Sequence, residues 1–375
     1  MARRSRIGYA SPAMRPWMRK KYIIGGSIVL AVVIALVILL AFTNVFSGGS
    51  EYPMIDAPDA KAVQSNSSGY FYMSGTTLVH TDFAGNEIWS SKFSSGALSL
   101  RVSDKLICVY DSESANVFDA DKNLLFTIPN SNYKIESAYV TNDSIAMLTQ
   151  LSSDDSVQYL RVFDSTGVEQ DRIKLESTQI LDYGLFGSDN NLWYLTLDAT
   201  GVAPVSAITT ENPAQKKVTG IVTISDQLIE HVYYFGTDMY AVGTTNITDY
   251  DSFGSKSSES LIYGMDCVDT CVTDKDIFFV FAPRNDQTSD YHSTARIISR
   301  GGVDTLIQLP DGITDMLVTA TRIYAVSADK IYVYSLEGEY ADTITPGFTI
   351  KDVTRTSADH ALLTADDGIH SMKLK

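Results

Sequence analysis

Cysteine is scarce in this chain, with three residues in 375. A disulfide framework is therefore excluded, and a domain of this size can bury a core without one. Ten prolines and 24 glycines are too few for a fibrous or low-complexity protein. Basic side chains are outnumbered, 29 against 45 acidic, and the net charge of −16 removes nucleic acid as the main partner. Chemical signatures are missing too. There is no Gly-x-x-x-x-Gly-Lys-Ser/Thr phosphate loop and no Gly-x-Ser-x-Gly nucleophile elbow. The five histidines (His80, His231, His292, His360 and His370) never pair at metal-ligand spacing.

The charge that is present is unevenly spread. Residues 1–21 hold seven cations and no acid, and from Tyr22 to Ser50 there is no charged residue at all. Residues 51–375 then carry 22 basic and all 45 acidic side chains, a net of −23. The stretch from Tyr22 to Phe42 reads YIIGGSIVLAVVIALVILLAF, and its 21 residues would span roughly 31 Å as a helix, the thickness of a bilayer core. The pattern predicts a membrane-spanning signal anchor over 22–44. A cleaved signal peptide is the competing reading, although such peptides have apolar runs of only about 7–15 residues. Arg15, Arg19, Lys20 and Lys21 would keep the tail 1–21 cytoplasmic and place the C-terminal domain outside. Residues 45–58 read as a linker and a ring-closing strand, and 59–375 as an extracytoplasmic domain.

That domain is predicted to be all-β. Short apolar runs such as Tyr70-Phe71-Tyr72-Met73, Asn191-Leu192-Trp193-Tyr194-Leu195 and Arg322-Ile323-Tyr324-Ala325-Val326 are separated by turn residues, with many Tyr, Val, Ile and Thr. One turn recurs: Asp or Ser, two residues, then Gly. Copies stand at Asp82–Gly85, Asp119–Lys122, Asp164–Gly167, Asp198–Gly201, Asp251–Gly254, Ser299–Gly302 and Ser335–Gly338. The Asp closes an Asx-type turn and the fourth residue takes positive φ. The spacing averages about 42 residues, as a four-stranded propeller blade requires. After Gly338 only three strands' worth of a last blade remain, and residues 51–57 are placed to supply the fourth. The expected fold is an eight-bladed β-propeller, with seven blades as the alternative.

The stretch Asp82 to Trp89, Asp-x-x-Gly-x-x-x-Trp, is similar to the repeat of quinoprotein-type (PQQ-like) propellers. The whole layout resembles single-pass, membrane-anchored PQQ-like/WD40-like propellers of unknown function in Gram-positive, Clostridia-like bacteria. More distantly it resembles the eight-bladed lipoprotein of the outer-membrane protein assembly machine. The resemblance implies a non-catalytic envelope protein. Quinoprotein dehydrogenases resemble one another in a vicinal Cys pair over their cofactor, whereas Cys267 and Cys271 here are four apart, so no cofactor site carries over.

The remaining candidates are few. Cys267 and Cys271 read as small buried hydrophobes on a strand. Asp249-Tyr250-Asp251 and the Asp366-Asp367 turn match no Ca²⁺ loop and read as turn chemistry. The longest stretches without strand character, 244–260 and 283–294, are the expected partner contacts, with Asp249, Tyr250, Asp251, Phe253, Arg284, Asp286, Tyr291 and His292 as the contact residues. The expected function is a protein-interaction scaffold or adaptor in a cell-envelope complex, bound to the bilayer through Tyr22 to Phe42 and to other membrane or envelope proteins. A sensory or ligand-binding propeller for a small molecule or glycan is the alternative, and an enzyme the third.

Overall fold

Alternating apolar residues bounded by Asp, Ser, Asn and Gly turns fold as antiparallel hairpins throughout the computed structural model, which describes residues 52–94, 98–129, 132–175, 179–284 and 291–375. These belong to one unit running from Tyr52 to Lys375. The basic tail, with Arg15, Arg19, Lys20 and Lys21, and the apolar run from Tyr22 to Phe42 lie outside the described residues, as does Asp286. Among the described residues no helix is long and apolar enough to cross a membrane.

Five four-stranded sheets follow one another along the chain, at 64–92, 99–129, 133–175, 179–224 and 229–261. A seven-stranded sheet spans 265–344, and its middle strand, Asp304–Val318, serves twice. The first part of that strand pairs with His292–Ser299 and the last part with Arg322–Ser327. The sheet therefore divides into two four-stranded halves that share one strand. The final sheet takes its first three strands from Ile350–Arg355, His360–Ala365 and Ile369–Lys373. Its fourth is Met54–Ile55, paired antiparallel with Ile369 and His370. Counting the two halves separately gives eight four-stranded units, numbered here one to eight from residue 64.

Side chains pack between units rather than within them. Eight apolar clusters occur among the described residues, and each joins one unit to the next. Phe71 and Leu78 of unit one meet Ile107 and Val109 of unit two. The series ends where Leu362 and Ile369 of unit eight meet Tyr70 and Val79 of unit one, which closes a ring. Each fully buried Leu, Ile or Phe contributes about 1.5–3 kcal/mol, so these seams hold the fold together.

The recurrent turn joins the third and fourth strands of its unit. At Asp82, Asp119, Asp164 and Asp251 the carboxylate accepts the backbone N–H two and four residues on. The fourth residue has φ between 71° and 95° at 85, 122, 167, 254, 302 and 338. Two expectations need correction. Asp198–Gly201 joins the second and third strands of unit four, and the equivalent turn is Asn212–Lys216, with Lys216 at φ 51°. Likewise, 244–260 is not irregular: it contains the hairpin Asn246–Tyr250 and Lys256–Leu261.

The first of these turns also guards the seam. A Cβ on Gly85 (φ 83°) would stand 2.3 Å from the Met54 carbonyl oxygen of the closing strand. Gly85→Ala is expected to cost about 2 kcal/mol or more through combined backbone strain and steric conflict. Denaturant unfolding checks it, with Gly347→Ala, which meets no atom within 4 Å, as the comparison that isolates the steric part.

Candidate functional site in the central lumen

Successive strands run antiparallel, so their connections alternate between two faces of the ring. Turns between first and second strands, and between third and fourth, share one face. The second-to-third loops and the links between units share the other. This separates the expected contact residues. Asp249, Tyr250, Asp251 and Phe253 lie at the outer hairpin of unit five, on the first face. Arg284, Tyr291 and His292 flank the second-to-third loop of unit six, on the opposite face. They do not form one surface.

Locally, each has its own chemistry. Phe253 is 90% exposed at the turn tip. Asp249 is partly buried, and desolvation together with the Asp238 charge raises its carboxyl above the usual range. Arg284 donates to Asp266 Oδ1 at 2.7 Å and to Glu230 Oε1 at 3.2 Å, tying unit six to unit five. Burial lowers the His292 imidazole below its ordinary value, against the pull of Asp315 and Asp266. The two cysteines of 265–272 face different seams. A β-bulge after Cys267 shifts the alternation, so Cys267 packs at the five–six seam and Cys271 at the six–seven seam. Burial pushes the Cys267 thiol up to about 12, which keeps it protonated and unreactive.

The same bulge recurs on the first strand of six units. It falls between Ile135 and Ser137, Ile180 and Asp182, Ile229 and His231, Cys267 and Asp269, Ile313 and Asp315, and Ile350 and Asp352. First strands line the centre of the ring, so each bulge sets one polar residue at the same level of the wall. Sequence reasoning missed this repeat, although Ile or Cys, one residue, then Asp, Ser or His is visible once the first strands are aligned. A second missed signal follows it. Val102-Ser103, Val140-Thr141, Val272-Thr273 and Val318-Thr319 each open a first-to-second turn, in which the hydroxyl accepts a backbone N–H three residues on.

These turns link unit to unit around one mouth of the lumen. Ser65 Oγ donates to Thr356 O, Asn66 Nδ2 to Ser103 O, Ser103 Oγ to Thr141 O and Thr141 Oγ1 to Asn190 Oδ1. A cavity of about 610 Å³ lies among the turns of units eight, one, two and three. Its lining is hydroxyl- and amide-rich, with Asp104 and Asp359 as the acids.

A second cavity, of about 500 Å³, is walled by units three to six, with Tyr139, Asp182, Tyr183, Trp193, Tyr233 and Tyr234 among its lining. An adjoining space of about 250 Å³ continues to Arg101 and Ser137. Asp182 is open to lumen water yet enclosed by protein on most sides, and that desolvation raises its carboxyl above the usual range. Tyr139 is 40% exposed, and burial followed by the Asp182 charge raises its phenol. Burial pushes Tyr233 up to about 12. Both tyrosines therefore stay neutral beside Asp182.

Of the other acids at this level of the wall, Asp315 has no ion-pair partner within 4 Å among the described residues, while two are paired. Asp352 meets Lys61 at 3.3 Å. Asp269 receives Arg355 Nε at 2.8 Å and Val318 N at 2.8 Å. His360 stacks on Phe83 at 3.8 Å and His370 on Phe348 at 4.1 Å, so the last two histidines serve packing at separate places. Among the described residues no group of three or more His, Cys, Asp or Glu converges to hold a metal ion.

Several solved structures share this architecture. BamB from Moraxella catarrhalis is 10% identical, with 86% of this chain and 96% of that chain covered and a TM-score of 0.54. The dihydro-heme d1 dehydrogenase NirN in complex with DHE is 12% identical, with 84% and 70% covered and a TM-score of 0.52. The quinohemoprotein alcohol dehydrogenase ADHIIG of Pseudomonas putida HK5 is 9% identical, with 85% and 72% covered and a TM-score of 0.50. At such identities the likeness concerns the fold, which is a β-propeller, and assigns no chemistry. No curated protein matches the sequence. A family model does match over residues 49–374, nearly the whole of the chain after its apolar run, and by it the chain belongs to DUF5711, a family of unknown function.

Proposed function

We propose that this protein is a membrane-anchored, extracytoplasmic, eight-bladed propeller that acts as a protein-interaction scaffold in a cell-envelope complex. The observation that carries the reading is the outer rim of units four to seven. There the fourth strands expose Ile221, Leu261, Leu306 and Tyr340 at 61–64%. Large apolar side chains left open on four consecutive units give a protein partner apolar footholds along that rim. The charge pattern supports the anchor: seven cations precede the apolar run from Tyr22 to Phe42, and nine residues separate that run from Tyr52, where the described ring begins.

Cross-linking in native membranes tests this reading. A stoichiometric protein partner is expected, and it should be lost on combining Ile221→Lys with Leu306→Lys. Recovery of monomer alone would overturn the scaffold. The anchor has its own test in protease treatment of intact cells. Residues 52–375 should be cleaved, and charge reversal at Arg19, Lys20 and Lys21 should protect them by inverting the orientation.

A further inference from the structure

We propose that the outer edge of unit four, Lys217–Ile224, pairs antiparallel with the same edge of a second copy of this chain, in a register centred on Val222. The strand is the last of its sheet, so one side of its backbone has no neighbour in the ladder. An open row of N–H and C=O groups is a template for another strand, and proteins blunt such edges with charge, proline or short length. The other fourth strands carry these devices. Glu169–Leu175 has four charged side chains, Lys256–Leu261 two, and Tyr340–Ile344 has Asp342. Glu87–Lys92 is charged at both ends, Leu124–Pro129 ends in proline, and Met54–Ile55 has two residues. The outer half of Asp304–Val318 runs from its acid into Pro310. Unit four differs: Val218–Ile224 is seven residues free of both charge and proline. A bulge disturbs the strand between Val218 and Gly220, and Gly220–Ile224 beyond it pairs without interruption.

The register selects a second copy as the occupant. Centring on Val222 sets that residue against its own counterpart, and Ile221 against Thr223 of the other copy, twice by symmetry. Ile221 and Thr223 are both exposed, and β-branched side chains directly opposite one another stabilise a strand pair. The bulge makes Val218 the next position on the ladder after Gly220. Ser225 of the other copy therefore falls opposite Val218, and Asp226 opposite Lys217. Lys217 and Asp226 are exposed, and neither has an ion-pair partner within 4 Å among the described residues. Antiparallel pairing thus sets a cation against an acid at each end of the contact, so the chain supplies every complement itself.

Elsewhere the domain is strongly acidic, −23 over residues 51–375, and like charge pushes two copies apart. Contact is confined to the uncharged strip, and so small an interface makes a reversible dimer rather than a permanent one. The pairing rests on this strand alone. Leu261, Leu306 and Tyr340 stay open for an envelope partner.

Sedimentation velocity of the full-length protein in maltoside detergent, over a concentration series, provides the test. A reversible dimer is expected. Thr223→Lys gives unit four the kind of charge that other edges carry, and should abolish the dimer while leaving the denaturant midpoint unchanged. Lys217→Asp should weaken it by about 10-fold, because acid then faces acid at both ends. Adding Asp226→Lys to that variant should restore it. The rescue separates this register from any effect on folding, and from association through the apolar run Tyr22 to Phe42, which neither substitution touches. Monomer at every concentration, a dimer unmoved by Thr223→Lys, or no rescue in the double variant would each overturn the proposal. Self-pairing is read in purified protein and the scaffold's partner in native membranes, so the two succeed or fail independently.

Discussion

Arg355→Ala is expected to destabilise the protein by about 3–5 kcal/mol, the range for removing one partner of a buried ion pair. Arg355 and Asp269 have side chains only 16% and 8% exposed. The guanidinium joins three units at once. It donates Nε to Asp269 of unit six at 2.8 Å, Nη1 to Ser357 O of its own unit eight at 3.0 Å, and Nη2 to Val318 O of unit seven. Asp269 also accepts Val318 N. Burial already pushes the Asp269 carboxyl up, and Arg355 pulls against that rise. Because arginine keeps its proton, the pair stays ionic. Truncating the arginine leaves a desolvated carboxylate with nothing to balance it.

A double-mutant cycle separates the pair from its surroundings. Asp269→Val combined with Arg355→Leu should recover much of the loss, since apolar replacement of a buried pair is commonly near neutral. Denaturant midpoints of the four proteins provide the measurement. A loss below about 1 kcal/mol for Arg355→Ala would show that water reaches the pair and that it does not clamp the units.

A second large effect concerns acid against acid. Asp171, on the outer strand of unit three, and Glu211, on the third strand of unit four, are buried, at 8% and 7% exposure. Burial first, then the contact with Asp171, raises Glu211 to about 7, against about 4.3 in an unfolded chain. The sign follows from the raised value. The folded state holds its proton more tightly than the unfolded state, so the full stability is present below about pH 4.3. It is lost as pH rises toward 7, by roughly 4 kcal/mol in all. Glu211→Gln keeps a donor toward Asp171 and removes the titration. It should be more stable than the parent at pH 8 and should flatten the stability curve between pH 5 and 7. Stability that does not change across that window in the parent would show that the two carboxyls do not share a proton.

The outer hairpins were legible from sequence because one Asp side chain writes each turn, and Asp82, Asp119, Asp164 and Asp251 stand where that chemistry places them. Unit four escaped for a physical reason. Its turn places Lys216, not Gly, at positive φ, while Asp198–Gly201 offers the familiar residues at the wrong connection. The lumen was not legible in the same way. Its polar ring depends on β-bulges, and a bulge inverts the face of every residue after it, so periodicity read straight along the chain assigns Asp182 or Asp315 to the wrong side. The placement of the candidate contacts was not legible either: alternation of the two faces separates Phe253 from Tyr291, although only 38 positions divide them.

The closing strand has a consequence for how the molecule is made. Met54 pairs with His370, a partner translated 316 residues later. At about 5–20 residues per second, the first strand emerges roughly 15–60 s before the hairpin it must join. Throughout that interval unit one presents Tyr70 and Val79 with no Leu362 or Ile369 to cover them, and an open apolar seam invites misassociation. The ring is thus assembled as a growing arc whose two ends stay adhesive until the last hairpin is released.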